Sequence, residues 1–436
     1  MKFYNRTKEL EQLKRTWVKS LTNAQMTIVI GRRRIGKTTL LIESVKNRPH
    51  LYFFISRKNE ILLCEEFTEE IKNKLSVNIY GQFQSFRDLF GYLMELSSNT
   101  PFTLIIDEFQ EIYSVNPSVY SEMQNIWDRN KNKSHMNLIL CGSVYSMMKK
   151  IFEDAKEPLF GRANQQININ PFDINTQKQI LKEYNPDYTS DDLLFLYMIT
   201  GGIPKYLEIL TENEAFTFKS ILNTVIADNS MFLDEGRNIL IDEFGKDYGN
   251  YFSILSLIAS SKTSRPEIES VLQMQTGGYL DRLENDFKII AKTKPILSKP
   301  NSRSVKYHIC DNFLNFWFRF IYKYKSAIEI DNLEYVKNII LRDYNTYSGK
   351  ILERYFTEKL KSTGNYSQIG SYWEKSNKNE IDIVAINEDQ KKIDFYEVKR
   401  NADNININNL IIKSSNLTKK LHDFTPAYYG LSLNDM

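Results

Sequence analysis

Thr27-Ile28-Val29-Ile30-Gly31-Arg32-Arg33-Arg34-Ile35-Gly36-Lys37-Thr38-Thr39 is the stretch around which the chain is organised. Its first four residues are all β-branched and read as a buried strand. Gly31 and Gly36 bracket a loop, and Lys37-Thr38-Thr39 open a helix. The spacing is G-x-x-x-x-G-K-[ST]. The glycines let the backbone bend and come close to oxyanions. The amides of the loop and of the helix N-terminus then point at negative charge. Lys37 is placed to reach the β- and γ-phosphates of a nucleotide, and the Thr38 hydroxyl to ligate Mg2+. The expected phosphate cradle is Gly31, Arg32, Arg33, Arg34, Ile35, Gly36, Lys37, Thr38 and Thr39. The expected cofactors are ATP and Mg2+.

Upstream, Leu10, Leu13 and Trp17 recur at helical spacing and predict a helix with one core-facing side. Downstream, the helix opened by Lys37 is expected to run to about residue 47. A second strand is expected over 50–55, and helices up to 75 and over 88–97. Phe102-Thr103-Leu104-Ile105-Ile106-Asp107-Glu108-Phe109-Gln110 follows. An apolar run ending in two acids reads as a central parallel strand, whose C-terminal end is where an open α/β sheet binds ligand. There Asp107 would hold Mg2+ and Glu108 would polarise the attacking water. Residues 136–143 form the next buried strand. Two roles are open to Ser143 at its end, a sensor of γ-phosphate or water and the N-cap of a helix. Arg162, after Pro158-Leu159-Phe160-Gly161, is either a transition-state arginine, in cis or toward a neighbouring subunit, or one half of an ion pair.

These residues resemble the archaeal-type ATPase family, a branch of the AAA+/STAND P-loop ATPases. The resemblance is carried by Phe3-x-Asn5-Arg6-x-x-Glu9-Leu10-x-x-Leu13, Gly31 to Thr38, Leu104 to Gln110, Cys141-Gly142-Ser143, the segment from Pro158 to Arg162, Pro171-Phe172, and Thr200-Gly201-Gly202-Ile203-Pro204-Lys205-Tyr206-Leu207. It implies that Asn5, Arg6 and the turn at Pro204 flank the adenine. Asn5 stands where a glycine is common in that family.

Beyond the ATPase core, residues 171–245 have helical periodicity and read as a helical lid, with a helix starting at Ser190-Asp191-Asp192. Residues 246–311 hold three helical patterns and two short strand-like runs, 289–293 and 305–309, which is the order of a winged helix. Such a domain places its third helix in a DNA major groove and its wing on phosphates, and Arg282, Lys288, Lys292, Lys294, Arg303 and Lys306 permit that. The same third helix carries Asp281, Glu284 and Asp286, which oppose phosphate, so packing against protein is the other use. Residues 312–345 read as a buried helical linker.

The last segment, 346–436, contains a second chemistry. A helix opens at 349–356. Two strands, over 379–386 and 393–400, form a hairpin in which Glu397 and Lys399 share one face and Asp382 lies on the partner strand. Two carboxylates and a lysine suit metal-dependent phosphodiester hydrolysis. Asp382 and Glu397 would bind Mg2+ together with the Val398 carbonyl. Lys399 would orient the attacking water and offset charge in the transition state. Glu353 would complete the site or hold a neighbouring lysine. A merely solvated strand face is the alternative reading of E-x-K taken alone. Glu353, Asp382, Glu397 and Lys399 together resemble the PD-(D/E)-x-K nuclease superfamily, although Ile381 stands in place of its proline. They resemble more closely a poorly characterised domain attached to archaeal-type ATPases.

The fold class expected is thus α/β: a P-loop NTPase core of the AAA+ kind over 1–170, then lid, winged helix and linker, and a restriction-endonuclease-like α/β domain. A hydrophobic content of 42% and a charged content of 25% are those of a soluble globular protein. The net charge of +3 confines any basic surface to a local patch. Cys64, Cys141 and Cys310 are far apart, form no C-x-x-C pair, and point to a reducing cytoplasm without structural zinc or disulfides. No apolar run suggests a membrane partner. Nucleic acid, DNA ahead of RNA, is the expected partner, and an Arg162 acting in trans would require a homo-oligomer. The competing reading is a switch whose last domain binds nucleic acid or protein without cutting.

Overall fold

The computed structural model describes residues 1–245, 248–299, 301–302, 304–375 and 378–436. Arg303 of the expected wing therefore lies outside the described residues. The chain divides into two units, Lys2–Pro171 and Phe172–Met436.

The first unit is built on a parallel sheet. Its strands are β1 (Gln25–Ile30), β2 (His50–Phe54), β3 (Thr103–Asp107), β4 (Asn137–Gly142) and β5 (Gln165–Asn168), in the order β2-β3-β4-β1-β5. Each pairing is parallel. β1, β3 and β4 are buried along their whole length, which is why they read as unbroken apolar runs rather than alternating ones. Helices Glu60–Leu75, Phe86–Leu96 and Val119–Asn130 contribute to the core beside this sheet, where Phe53 stacks on Phe67 at 4.1 Å between ring centres. β5 has no counterpart in the sequence reading. It is a half-exposed edge strand rich in Gln and Asn, so it lacks the apolar signal of its neighbours. Because the strands are parallel, the loops after β1, β3 and β4 open on one edge of the sheet.

The second unit begins with five helices, Ile174–Tyr184, Ser190–Thr200, Pro204–Glu212, Phe218–Val225 and Met231–Phe244. Gly202 is held at φ 80°, and a Cβ there would lie 2.2 Å from the Phe172 carbonyl oxygen. Helices Tyr248–Ala259, Arg265–Leu272 and Gly277–Asn285 follow, then the antiparallel hairpin β6 (Ile290–Thr293) and β7 (Lys306–Ile309). The aromatic segment after it is helical but irregular, with a π-helical turn over Trp317–Ile321. One helix then runs unbroken from Leu333 to Ser362. It carries straight through 345/346, where the sequence suggests a change of domain.

A four-stranded sheet closes the chain: β8 (Gln368–Tyr372), β9 (Ile381–Asn387), β10 (Lys392–Val398) and β11 (Thr425–Leu431), in the order β11-β10-β9-β8. β8, β9 and β10 are antiparallel neighbours, whereas β11 is parallel to β10. That parallel step requires a crossover, supplied by the helix Ile407–Lys420, whose Leu410 and Leu417 join Ile393 and Phe395 in the core. Neither this helix nor β11 stands out in the sequence.

The loop of the β6–β7 hairpin is occupied within the chain. Ile296 donates its backbone N–H to the Ser371 carbonyl at 2.9 Å. The Trp373 indole donates to Ser304 Oγ at 2.7 Å, and Lys306 pairs with Glu380 at 3.1 Å. Ile296 and Ser304, one on each side of that loop, thus meet residues at the end of edge strand β8.

Candidate functional sites

The glycine loop leaves β1 and enters the helix Lys37–Val45 through Gly36, whose φ of 82° favours glycine. Arg34 is also left-handed, at φ 69°. Lys37 is buried, and its ammonium donates to the carbonyls of Gly31 at 2.7 Å and Arg32 at 3.0 Å. Thr38 and Thr39 are exposed. Thr38 Oγ1 donates to Asp107 Oδ2 at 2.8 Å, so the loop threonine and the acid ending β3 meet across 69 residues.

Asp107 has further partners. Tyr52, on β2, donates its hydroxyl to the same Oδ2 at 2.6 Å, and the Glu108 amide donates to Oδ1 at 2.9 Å. Burial, then the neighbouring Asp107, pushes the Tyr52 phenol well above its usual range, so it remains a donor. Sequence spacing does not single out Tyr52. Its only signal is a polar-tipped aromatic in the middle of a largely apolar strand.

Glu108 sits in the left-handed region at φ 53°. Its Oε2 accepts from Ser143 Oγ at 2.7 Å and from the Gln110 side-chain amide. Ser143 is therefore no helix cap: the helix begins at Tyr145 with Val144 in the cap position, and the Ser143 hydroxyl holds Glu108. Arg162 makes an ion pair with Asp128 at 3.0 Å and donates to the Phe160 carbonyl at 2.9 Å. Asn5 and Arg6 are both left-handed. Arg6 is buried and donates to the carbonyls of Asn170 at 2.7 Å and Ile35 at 3.2 Å, which fastens the N-terminal turn to the glycine loop. Pro204 belongs to the second unit, in the first turn of its helix.

The last sheet gathers the second set of residues. Lys399 Nζ lies 3.7 Å from Asp382 Oδ2 and 3.7 Å from Glu397 Oε1. The Val398 amide donates to Asp382 Oδ2 at 2.8 Å, and the Asn406 amide to Glu397 Oε2 at 2.6 Å. Lys413, on the Ile407–Lys420 helix, is 4.0 Å from Glu397 Oε1, a second lysine that the spacing of the motif does not reveal. Glu353 pairs with Lys350 at 3.1 Å. Burial raises the Glu353 carboxyl to about 7, with Asp382 adding to the rise and Lys350 opposing it. Among the described residues no three His, Cys, Asp or Glu side chains converge into a metal-binding cluster. Asp382 and Glu397 are the two carboxylates that meet at Lys399.

Of the basic residues assigned to the three-helix segment and hairpin, Arg282 lies over Tyr251 and Phe287 and near Asp286 at 3.9 Å. Lys292 pairs with Glu284 at 2.8 Å, and Lys306 with Glu380. No helix among the described residues is long and apolar enough to cross a membrane.

A parallel sheet in this order, with a glycine loop after β1 and an acid pair after β3, defines a P-loop ATPase domain. Residues 3–210 match an ATPase domain predominantly from Archaea, and residues 317–410 match a domain described as archaeal and bacterial proteins of unknown function. An uncharacterised protein of Methanocaldococcus jannaschii is 30% identical over 408 residues, covering 91% of this chain and 87% of that protein. The chain belongs to its family, with the archaeal ATPase domain and the second domain in succession. Among solved structures, a Walker-type ATPase of Pyrococcus abyssi is similar with a TM-score of 0.55 and 20% identity, over 72% of this chain and 96% of that one. The ORC2 protein of Aeropyrum pernix, solved as ADPNP–ADP complexes, has a TM-score of 0.50 and 12% identity, over 78% of this chain and 96% of that one.

Proposed function

We propose that the protein binds and hydrolyses ATP and couples its nucleotide state to a nucleic-acid-directed, Mg2+-dependent phosphodiesterase site in its last domain. The observation that carries the ATPase reading is the meeting of Thr38 with Asp107 beside the buried Lys37. A hydroxyl and a carboxylate are hard oxygen donors and fit Mg2+. Bound there, Mg2+ would neutralise charge developing on the phosphates. Lys37 would supply its ammonium to the phosphates in place of the loop carbonyls. Glu108, oriented by Ser143 and Gln110, would accept hydrogen bonds from the attacking water and polarise it.

The convergence of Asp382, Glu397 and Lys399 supports the phosphodiesterase reading, with Lys413 adding positive charge for a phosphate. A helix ahead of three antiparallel strands, then a crossover helix and a parallel strand, is a layout that suits such a site. The three-helix segment and hairpin fit a winged helix. Its paired basic residues and the contacts of Ile296 and Ser304 at the end of β8 favour packing within the chain over a grip on DNA phosphates. The same features fit a second reading, a nucleotide-driven switch whose last domain only binds nucleic acid or a protein partner, without cutting.

The test is cleavage of single- and double-stranded DNA with Mg2+ or Mn2+, with and without ATP, in wild type, Lys399→Ala and Asp382→Ala. Cleavage that is lost in both variants while their ATP turnover persists is the expected result. Turnover of ATP with no cleavage by wild type would leave the switch.

A further inference from the structure

We infer that Arg400 positions Lys399 and, through Asp191, ties the carboxylate–lysine site to the nucleotide state of the ATPase domain; this rests on the function proposed above for both sites. Lys399 lies just past the end of β10, where its amide donates to the Leu431 carbonyl at 2.9 Å. The next residue is fastened from three directions. Arg400 Nη1 donates to Ser348 Oγ at 2.8 Å, Nη2 donates to Asp191 Oδ1 at 2.7 Å, and the guanidinium lies 4.7 Å from the centre of the Tyr344 ring. The Tyr344 hydroxyl donates to that same Asp191 oxygen at 2.9 Å. A planar, forked donor set satisfied on both arms and stacked on a ring permits one orientation. That orientation fixes the backbone from which Lys399 reaches its carboxylates.

Asp191 belongs to the first turn of the Ser190–Thr200 helix, in which every residue from Asp192 to Thr200 is buried. Eleven helical residues make a rod about 16 Å long. A helix packed along its length moves as a rod and carries Asp191 with it. At the far end of the helix the chain turns through Gly201 and Gly202, and the Gly202 carbonyl accepts from the Phe172 amide at 2.8 Å. Phe172 follows Asn170-Pro171 directly. In the ATPase domain the Asn170 carbonyl is held by Arg6, whose other arm holds the carbonyl of Ile35 in the glycine loop. Each link from Ile35 to Lys399 is thus a hydrogen bond, a helix or a stretch of peptide chain. A nucleotide that repositions the loop loads one end of this series, and Lys399 stands at the other.

The test is hydrogen exchange of the full chain with and without a nonhydrolysable ATP analogue and Mg2+, in wild type, Asp191→Asn and Arg400→Lys. Asp191→Asn keeps the side-chain shape at a partly exposed position, and Arg400→Lys keeps the charge but not the fork. In wild type the nucleotide is expected to protect residues 31–39 and to change exchange at 398–401. In both variants protection at 31–39 persists and the response at 398–401 is lost. Protection at 31–39 without a wild-type response at 398–401, or a response that survives in both variants, would overturn the coupling alone. No protection at 31–39 in wild type would overturn the ATP-binding reading and the coupling with it. A wild-type response lost in the variants, in a protein that cleaves no DNA, supports the coupling and removes only the phosphodiesterase.

Discussion

Thr38 and Asp107 share a hydrogen bond of 2.8 Å at the junction of the glycine loop and β3, with Tyr52 donating to the same carboxylate oxygen. These hydrogen bonds hold the loop and the acid strand together. Preorganised groups need no rearrangement when charge develops. Thr38→Ala is therefore expected to retain nucleotide binding but lose Mg2+-dependent turnover by about a hundredfold, the scale of one transition-state donor. Lys37→Ala is expected to abolish binding, since it removes the ammonium beside the loop. Titration with a fluorescent ATP analogue and steady-state phosphate release distinguish the two, and unchanged turnover in Lys37→Ala would sink the assignment of the loop.

Glu108 is held by Ser143 and Gln110. Glu108→Gln should bind ATP normally and turn it over about 10²- to 10⁴-fold more slowly, the usual worth of a general base. Ser143→Ala loses one hydrogen bond to a carboxylate, worth about 1.5 kcal/mol, or roughly tenfold in rate if all of it bears on the transition state. A Ser143→Ala defect larger than that of Glu108→Gln would mean that Ser143 acts on the phosphate itself.

The Glu353 carboxyl, raised by burial to about 7 from an ordinary 4.5, makes a signed prediction. Between those two values the native protein holds the proton that the unfolded chain has released. Stability therefore falls as pH rises through that window and levels off above it. Glu353→Gln removes this slope, so urea midpoints at pH 5 and pH 8 should show the variant gaining on wild type at the higher pH. An unchanged difference between the two pH values would place Glu353 in ordinary solvent.

Gly202→Ala tests the turn after the Ser190–Thr200 helix. A left-handed backbone costs an L-residue about 1–2 kcal/mol. Here the new methyl would also meet the Phe172 carbonyl oxygen at 2.2 Å, a backbone atom with little freedom to yield. Thermal denaturation should show a loss larger than the backbone cost alone. A melting temperature equal to wild type would mean that this turn opens freely in solution.

Several features were legible in the sequence because their signals are local. The glycine loop, the apolar strand ending in Asp107-Glu108, and Glu397-x-Lys399 opposite Asp382 each declare themselves through spacing or through the unbroken apolar run of a fully buried parallel strand. The P-loop domain follows from these alone. Tertiary structure decided the rest. Tyr52 reaches Asp107, Arg6 holds both Ile35 and Asn170, and Arg400 finds Asp191 across 209 residues. Ser143 turned from a possible cap into a holder of Glu108, and β5 and β11 joined their sheets without an apolar pattern to announce them. The physical reason is the same in each case. A hydrogen bond between distant residues leaves no period in either segment, and a half-exposed strand owes its place to its neighbours' ladder rather than to its own apolar side chains.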